Sequence, residues 1–367
     1  MAKSKQSPFG INEKSKAFLK TYMNTASPVG AEVTGQKVWL NYIKNYVDET
    51  FTDPYGTAVG VINPGKNFKV VIEAHADEIS WFVNYINAEG FIYLKRNGGV
   101  DHQIAPSQRV IIHGKKGPVK AVFGWPAIHT RHGSGDKEQQ AKVENLFLDC
   151  GGRNKKEVEE LGIHVGAVVT YTEGFDELAY GNLVGRAFDN RIGGFMIAEV
   201  ARLLKENKKT IPYSLYVVNA VQEEIGLRGA EMIARRIKPD VAIITDVTHD
   251  GTTPMLNKNI QGDCSCGKGP VLTYGPAVHN KLRALIEDTA VKNKIPFQLQ
   301  AVSRSTGTDT DSFAYANDGC PSALISIPLR YMHTTVEMLH KDDVENTIRL
   351  IYESVLALTP KTNLSYF

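Results

Sequence analysis

Cysteine is scarce in this sequence. Four in 367 residues (Cys150, Cys264, Cys266 and Cys320) are too few for a disulfide framework. Cys264 and Cys266 are one residue apart, closer than in a zinc hairpin, and no second such pair follows, which argues against a structural zinc. Excess charge of either sign is also missing. The chain has 42 Lys and Arg against 40 Asp and Glu, a net +2, which gives no basis for a nucleic-acid or anionic-membrane surface. No apolar run approaches the length of a membrane span. No apolar h-region of a secretory signal follows Met1–Pro8. Gly262 to Gly269 has the glycine content of a phosphate loop but not its Gly-Lys-Ser/Thr ending, so nucleotide binding is not expected. Internal repeats and low-complexity tracts are absent. The expectation is a globular cytoplasmic protein with reduced thiols.

What is present is enough for two domains, given the length and 42% hydrophobic residues. Helices are expected over Ile11 to Met23 and Gly35 to Asp48, then strands over Thr57 to Ile62 and Phe68 to Ala74 around the turn cluster Asn63–Asn67. From Ile79 the texture changes. Short strand-like runs at Trp81–Ile86, Phe91–Leu94, Arg109–Ile112, Ala121–Phe123, Leu146–Cys150 and Gly166–Tyr171 are punctuated by Gly, Pro and Asn, the signature of a small β-barrel. A short helix, Asn154 to Leu161, lies among them, and the polar stretch Ser134 to Ala141 reads as a mobile loop. After Tyr180 strands and helices alternate. Helices are expected at Ile192–Leu204, Leu227–Arg236, Asn280–Asn293, Asp309–Ala316 and Val344–Leu358. Strands are expected at Ser214–Val221, Val241–Thr245, Phe297–Ala301 and Ala323–Ile327. This predicts an α/β fold with a mostly parallel sheet flanked by helices, made by residues 1–77 and 180–367, with an inserted β-barrel domain over 78–179.

The chemistry concentrates where these strands stop. Tyr216 to Val221 runs into two adjacent carboxylates, Glu223 and Glu224, and then Gly226 and Gly229. The strand Phe68–Ala74 runs into His75 and Asp77. Asp189 opens a helix, Asp246 follows a strand, and His333 follows another. Each alone has an ordinary explanation: a carboxylate at a helix start is commonly a cap, and a single histidine is commonly a hydrogen-bonded residue. Together they bring two imidazoles and several carboxylates, without cysteine, to one sheet edge, where open α/β sheets place their sites. That donor set suits two divalent metals sharing a carboxylate.

The motifs are specific as a set. His75-Ala76-Asp77, Phe188-Asp189-Asn190-Arg191, Glu223-Glu224-Ile225-Gly226-Leu227-Arg228-Gly229-Ala230, Thr245-Asp246-Val247-Thr248-His249 and Pro328-Leu329-Arg330-Tyr331-Met332-His333, in that order, resemble the tetrahedral (glutamyl) aminopeptidase family of di-metal exopeptidases. Some of its members were once labelled cellulase M. The resemblance covers nearly the whole chain, including the β insert after the first histidine. It implies that Asp189 bridges two metals, that His75 and Asp246 complete one, and that Glu224 and His333 complete the other. Glu223 would then be the general base, and Asp77 would fix the His75 ring. Ala76, Asn190 and Ser107 stand where the family commonly has Met, Asp and Gly. Thr306-Gly307-Thr308-Asp309 resembles the family's Gly-Gly-Thr-Asp. Gln108, Thr308, Asp309, Arg330 and Tyr331 are the candidates for a substrate pocket, with packing an equal explanation for Arg330 and Tyr331.

The activity so implied is release of N-terminal residues from short peptides, through a hydroxide held between zinc, cobalt or manganese ions. Relatives assemble as dimers and dodecamers through the β insert, so a homo-oligomer is expected. Two rivals stand beside this. A glycosidase could use the Glu223/Glu224 pair, but its carboxylates must flank the glycosidic bond, which adjacent residues rarely do, and the histidines would have no task. A non-catalytic binding protein could keep the fold, but loss of a ligand residue would mark it, and none is lost.

Overall fold

The computed structural model describes residues 10–130, 140–172 and 174–367. The chain opens with α1 (Glu13–Asn24), capped by the Asn12 side chain on the Ser15 N–H at 2.9 Å, and α2 (Val33–Ile43). Strands β1 (Glu49–Thr52), β2 (Ala58–Ile62) and β3 (Lys69–His75) follow. Then come β4 (Ser80–Ile86), β5 (Ile92–Asn97), β6 (Arg109–Gly114), β7 (Gly117–Gly124), β8 (Phe147–Asp149), α3 (Lys155–Glu160) and β9 (Val168–Tyr171). After β10 (Asp176–Glu177) and β11 (Asn182–Gly185) the chain alternates: α4 (Phe188–Glu206), β12 (Ser214–Ala220), α5 (Arg228–Ile237), β13 (Val241–His249), α6 (Lys258–Gln261), β14 (Val271–Tyr274), α7 (Asn280–Lys292), β15 (Gln298–Ala301), α8 (Thr310–Ala314), β16 (Ser322–Leu329), β17 (Glu337–His340) and α9 (Lys341–Ala357).

Eight of these strands form one sheet in the order β1-β2-β12-β3-β13-β16-β14-β15. Its centre, β12-β3-β13-β16, is parallel, as the α/β alternation requires. The β1-β2-β12 edge is antiparallel, as is the β14–β16 pair. Residue parity along the strands sorts the core into two layers. Val70, Ile72 and Ala74 of β3 pack with α1, α2, α4, α7 and α9, whereas Val71 packs with α5 and α8 on the other face. Strands β4 to β9 close into a barrel with its own core, including Trp81, Phe123 and Leu148. No helix among the described residues is long and apolar enough to cross a membrane.

The fold class expected from sequence is the one found: α/β with a large helix-flanked sheet and a closed small barrel. The differences are local. The second helix ends at Ile43 instead of Asp48, and β1 begins at Glu49. That strand is an exposed edge with no apolar alternation to announce it. β13 runs on to His249 because β16 pairs with it through Leu329, so Asp246 lies inside the strand and not at its end. β14, β10, β11 and β17 were not anticipated. All four are short, of two to four residues, and pairing partners decide them. The stretches Met1–Pro8 and, up to residue 139, Ser134–Ala141 lie outside the described residues.

Candidate metal centre

The parity that sorts the core also aims the site. Val71 faces α5 and α8, so Glu73 and His75 face the same way. On β13, Ala242 and Ile244 belong to that layer, and Asp246 continues it. The α5 layer therefore ends, at the C-terminal edge of the sheet, in an imidazole and a carboxylate.

β12 stops at Ala220, opposite His75. Gln222 then takes a left-handed conformation (φ 58°), and Glu223–Ile225 makes a single 3-10 turn. The Asp77 carboxylate holds that turn, accepting the main-chain N–H groups of Glu223 (3.0 Å) and Glu224 (3.1 Å). α5 begins hard against the strand end, where the Gly229 N–H donates to the Val221 carbonyl at 2.9 Å and a Cβ would collide with that carbonyl. Asp189 stands where α4 opens, with extended φ/ψ (−74°, 109°), and its peptide bond to Asn190 is cis. The Asn190 amide donates to the Thr245 carbonyl at 2.7 Å, tying this turn to β13. His333 follows β16 with φ 62°. Glu337, wholly buried, accepts the main-chain N–H of Asp189 (3.0 Å) and of His333 (2.8 Å).

The side chains converge. His75 Nε2 lies 3.1 Å from Asp189 Oδ1 and 3.9 Å from Asp246 Oδ1. His333 Nε2 lies 3.3 Å from Asp189 Oδ2 and 3.4 Å from Glu224 Oε1. Asp189 thus turns one oxygen to each histidine. Glu223 Oε2 is 4.0 Å from His75 Nε2, and Asp77 Oδ1 is 3.5 Å from His75 Nδ1, an ion-pair distance and not a hydrogen bond.

Burial and crowding of carboxylates set the protonation states. Burial pushes Glu223 up to about 10, against the pull of His75 and with the carboxylates of Asp309, Asp246 and Glu224 adding to it. Asp246 rises to about 8, chiefly by burial. Burial also raises Glu224. Burial would raise Asp189 as well, but its contacts with His333 and His75 hold it below the usual carboxylate range. His333 is pushed up to about 11: burial opposes the charge, and Asp189 and Glu224 overcome it. Behind the cluster, Glu73 and Asp309 face each other with no exposure. Both are raised by burial, Glu73 to about 8, and each carboxyl is the other's side-chain partner.

A cluster of buried like charges is costly unless paired or bound to cations. Among the described residues, three groups have donor atoms that lie within 4.8 Å of one another: His75, Asp189 and Asp246; Asp189, Glu224 and His333; and His75, Glu223 and Glu224. The first two share Asp189. Glu224 Oε1 is buried without a hydrogen bond, as an oxygen kept for a cation would be. The donor set is nitrogen and oxygen only, which suits zinc, cobalt or manganese.

A cavity of about 390 Å³ opens onto these groups. Thr308, a predicted pocket residue, lines it, as do Thr248, Gln300, Val302 and Leu324. Asp309 lies behind it, beside Glu73. Arg330 turns to Asp250 (2.7 Å) and Thr252 (3.1 Å), away from the lining. Tyr331 is 39% exposed and Gln108 sits at the start of β6; neither lines the cavity. His249 also lines it. Glu337 and Glu73 escaped the sequence reading. A Glu at the end of a Thr-Thr-Val stretch carries no motif. Glu73 could have been noticed as the one charge in a run of apolar strand residues.

Residues 56–350 match the family described as M42 glutamyl aminopeptidase. A lysyl aminopeptidase of Pyrococcus furiosus is 32% identical over 321 residues, 88% of this chain and 90% of that protein. Among solved structures, a TET aminopeptidase from a marine sediment archaeon (Thaumarchaeota archaeon SCGC AB-539-E09) superposes with a TM-score of 0.91 at 30% identity, covering 95% of this chain and 98% of that one. A Thermotoga maritima protein described as an endoglucanase superposes at 0.74 with 27% identity, covering 92% and 96%.

Proposed function

Because the chain belongs to the M42 glutamyl aminopeptidase family, and is thus an aminopeptidase, we propose that it removes N-terminal residues from short peptides with the help of two divalent ions. The observation that carries this is the division of Asp189, with Oδ1 toward His75 and Oδ2 toward His333. On this reading His75 and Asp246 hold one ion, Glu224 and His333 the other, and Asp189 both. Zinc, cobalt or manganese bound there supplies positive charge that lowers the pKa of water and polarises the scissile carbonyl.

Glu223 has a different task. It sits 4.0 Å from His75 Nε2, and it lies on the cavity wall, where a water could reach it. Burial, with neighbouring carboxylates adding to it, raises its pKa in the bare cluster; cationic charge beside it would oppose that shift and favour the ionised form. It then takes a proton from the attacking water and returns it to the leaving amine, a role worth about 10²–10⁴-fold. Asp77 keeps Glu223 and Glu224 in place through their main-chain N–H groups and restrains the His75 ring. The carboxylates of the cluster also give a free α-ammonium or amine its recognition, which limits cleavage to the first residue. Thr308 belongs to the substrate wall; Asp309 supports it from behind.

Residues 1–77 and 180–367 form the catalytic unit in this account, and 78–179 serve assembly and substrate access. A cytoplasmic homo-oligomer, from dimer to dodecamer, is what the motif resemblance to the tetrahedral aminopeptidase family implies for this chain. The glycosidase reading gives His75, His333 and Asp189 nothing to do. The test is a pair of peptides of one sequence, one with a free and one with an acetylated N-terminus, incubated with metal-loaded protein. Loss of a single residue from the free peptide only, abolished by chelation, supports the proposal. Cleavage of both alike, or cleavage that survives chelation, defeats it.

A further inference from the structure

The barrel reaches into the metal centre through two glycines. After β5 the chain reads Asn97-Gly98-Gly99-Val100, and both ends of this segment are anchored. The Asn97 amide donates to the Val29 carbonyl (2.9 Å) beside the main sheet and to Ser80 Oγ (2.8 Å). Val100 is buried in the barrel core. Between these anchors the Gly99 carbonyl oxygen lies 3.1 Å from His333 Nδ1. A Cβ on Gly99 would sit 2.8 Å from both Nδ1 and Cε1 of that ring. Gly98 has a φ of +83°, and a Cβ there would meet Glu224 Cβ at 3.3 Å. The two side chains so approached belong with Asp189 to one donor group.

We propose that the Gly99 carbonyl is the positioning group for His333, so that the barrel completes the cation site of Asp189, Glu224 and His333. An imidazole has one N–H and one lone pair when neutral, and the hydrogen bond at one nitrogen decides which nitrogen can bind a metal. Nδ1–H donating to the Gly99 carbonyl leaves the Nε2 lone pair facing Asp189 Oδ2 and Glu224 Oε1. The His333 side chain is 32% exposed, so packing alone restrains the ring weakly. Its main chain is tied to Glu337, but that bond does not choose a tautomer. Only a residue without a Cβ brings its carbonyl this near the ring at position 99. Neither His75 nor Asp246 is among the atoms nearest a Cβ placed at Gly98 or Gly99, so the direct effect of this segment falls on the His333 side. The inference rests on the reading of Asp189, Glu224 and His333 as a cation site.

The probe is Gly99→Ala. Its steric effect falls on the His333 ring, and the residue's φ lies outside the left-handed region, so alanine adds no backbone strain there. Zinc titration calorimetry on the metal-free protein reads both sites. Wild type should bind two ions per chain. Gly99→Ala should keep one unchanged and bind the other about 10–100-fold more weakly, the usual effect of losing a group that orients a ligand. Two unchanged affinities in the variant, or equal weakening of both sites with a lowered melting temperature, would overturn the proposal. A wild type that binds no zinc would instead remove the reading beneath it. A second readout covers a variant that does not fold: ¹⁵N NMR of the zinc-loaded wild type should find the His333 proton on Nδ1, and a proton on Nε2 would refute the assignment.

Discussion

Removing Glu337 should damage both the fold and the metal centre by an amount the geometry sets. Its two oxygens are divided between the N–H groups of His333 (2.8 Å) and Asp189 (3.0 Å), and the residue is 2% exposed. Glu337→Ala removes both acceptors where water has little access. Each buried N–H left without a partner costs about 1–3 kcal/mol, and the vacated volume adds to that. The variant should therefore lose about 3–6 kcal/mol of unfolding free energy, a large part of the ~5–15 kcal/mol of a typical domain. Glu337→Gln keeps the volume and one acceptor oxygen, so about 1–3 kcal/mol is expected at low pH. The pH dependence has a definite sign. Burial raises the Glu337 carboxyl from 4.5 to about 8. A raised carboxyl contributes stability that is full below the unfolded value, near 4.5, and is lost as pH climbs through about 8. Glutamine does not titrate. Measured by urea unfolding of the metal-free protein at pH 5, 7 and 9, wild type should lose its advantage over Glu337→Gln as pH rises. An alanine variant within about 0.5 kcal/mol of wild type would refute the bracing role. A wild-type advantage that grows with pH would refute the electrostatic account.

Glu223→Gln should retain both ions by metal analysis and lose about 10²–10⁴-fold in kcat; near-normal turnover in a metal-loaded variant removes Glu223 from the proton-transfer role. Metal binding at pH 7 should release protons. His333 and Asp246, pushed up to about 11 and about 8 in the bare cluster, hold protons there that ions must displace. Calorimetry in buffers of different ionisation enthalpy should show that release, and buffer-independent heats would contradict it. The cavity wall beyond the metal cluster is made of neutral groups such as Thr248, Gln300, Val302 and Leu324. Aminoacyl-anilides with uncharged side chains should therefore exceed glutamyl and lysyl ones in kcat/KM by about tenfold or more, since a buried side-chain charge would have no partner. A glutamyl or lysyl optimum would show that this wall does not set the preference.

Much of this arrangement is legible in the sequence because its parts end strands or open helices. His75 closes the strand that holds Val70, Val71 and Ile72, and Glu223 and Glu224 follow the strand that holds Val217 and Val218, so their placement at one sheet edge follows from α/β topology. The barrel announced itself by its short, punctuated strands. Asp246 was placed one step wrongly, at a strand end instead of within β13, because the extent of β13 is set by pairing with β16 and not by its own residues. Glu337 was invisible for a related reason. Its partners are main-chain N–H groups, which every residue has, so no residue type elsewhere signals the contact. Gly98 and Gly99 look like an ordinary turn after β5. What they touch, Glu224 and His333, lies more than 120 residues further along, on a different body of the fold. Arg330 follows the second of its two expected roles. Beside His333 in sequence, it reads as a pocket residue, yet Asp250 offers it a buried carboxylate and turns it away.

The central claim is that Asp189 lies between two ions, and anomalous diffraction from zinc-soaked crystals tests it most directly. The account predicts two peaks flanking the Asp189 carboxylate, one at about 2.0–2.2 Å from His75 and Asp246 and the other at the same distance from Glu224 and His333. A single peak, or two peaks of which only one touches Asp189, would contradict it.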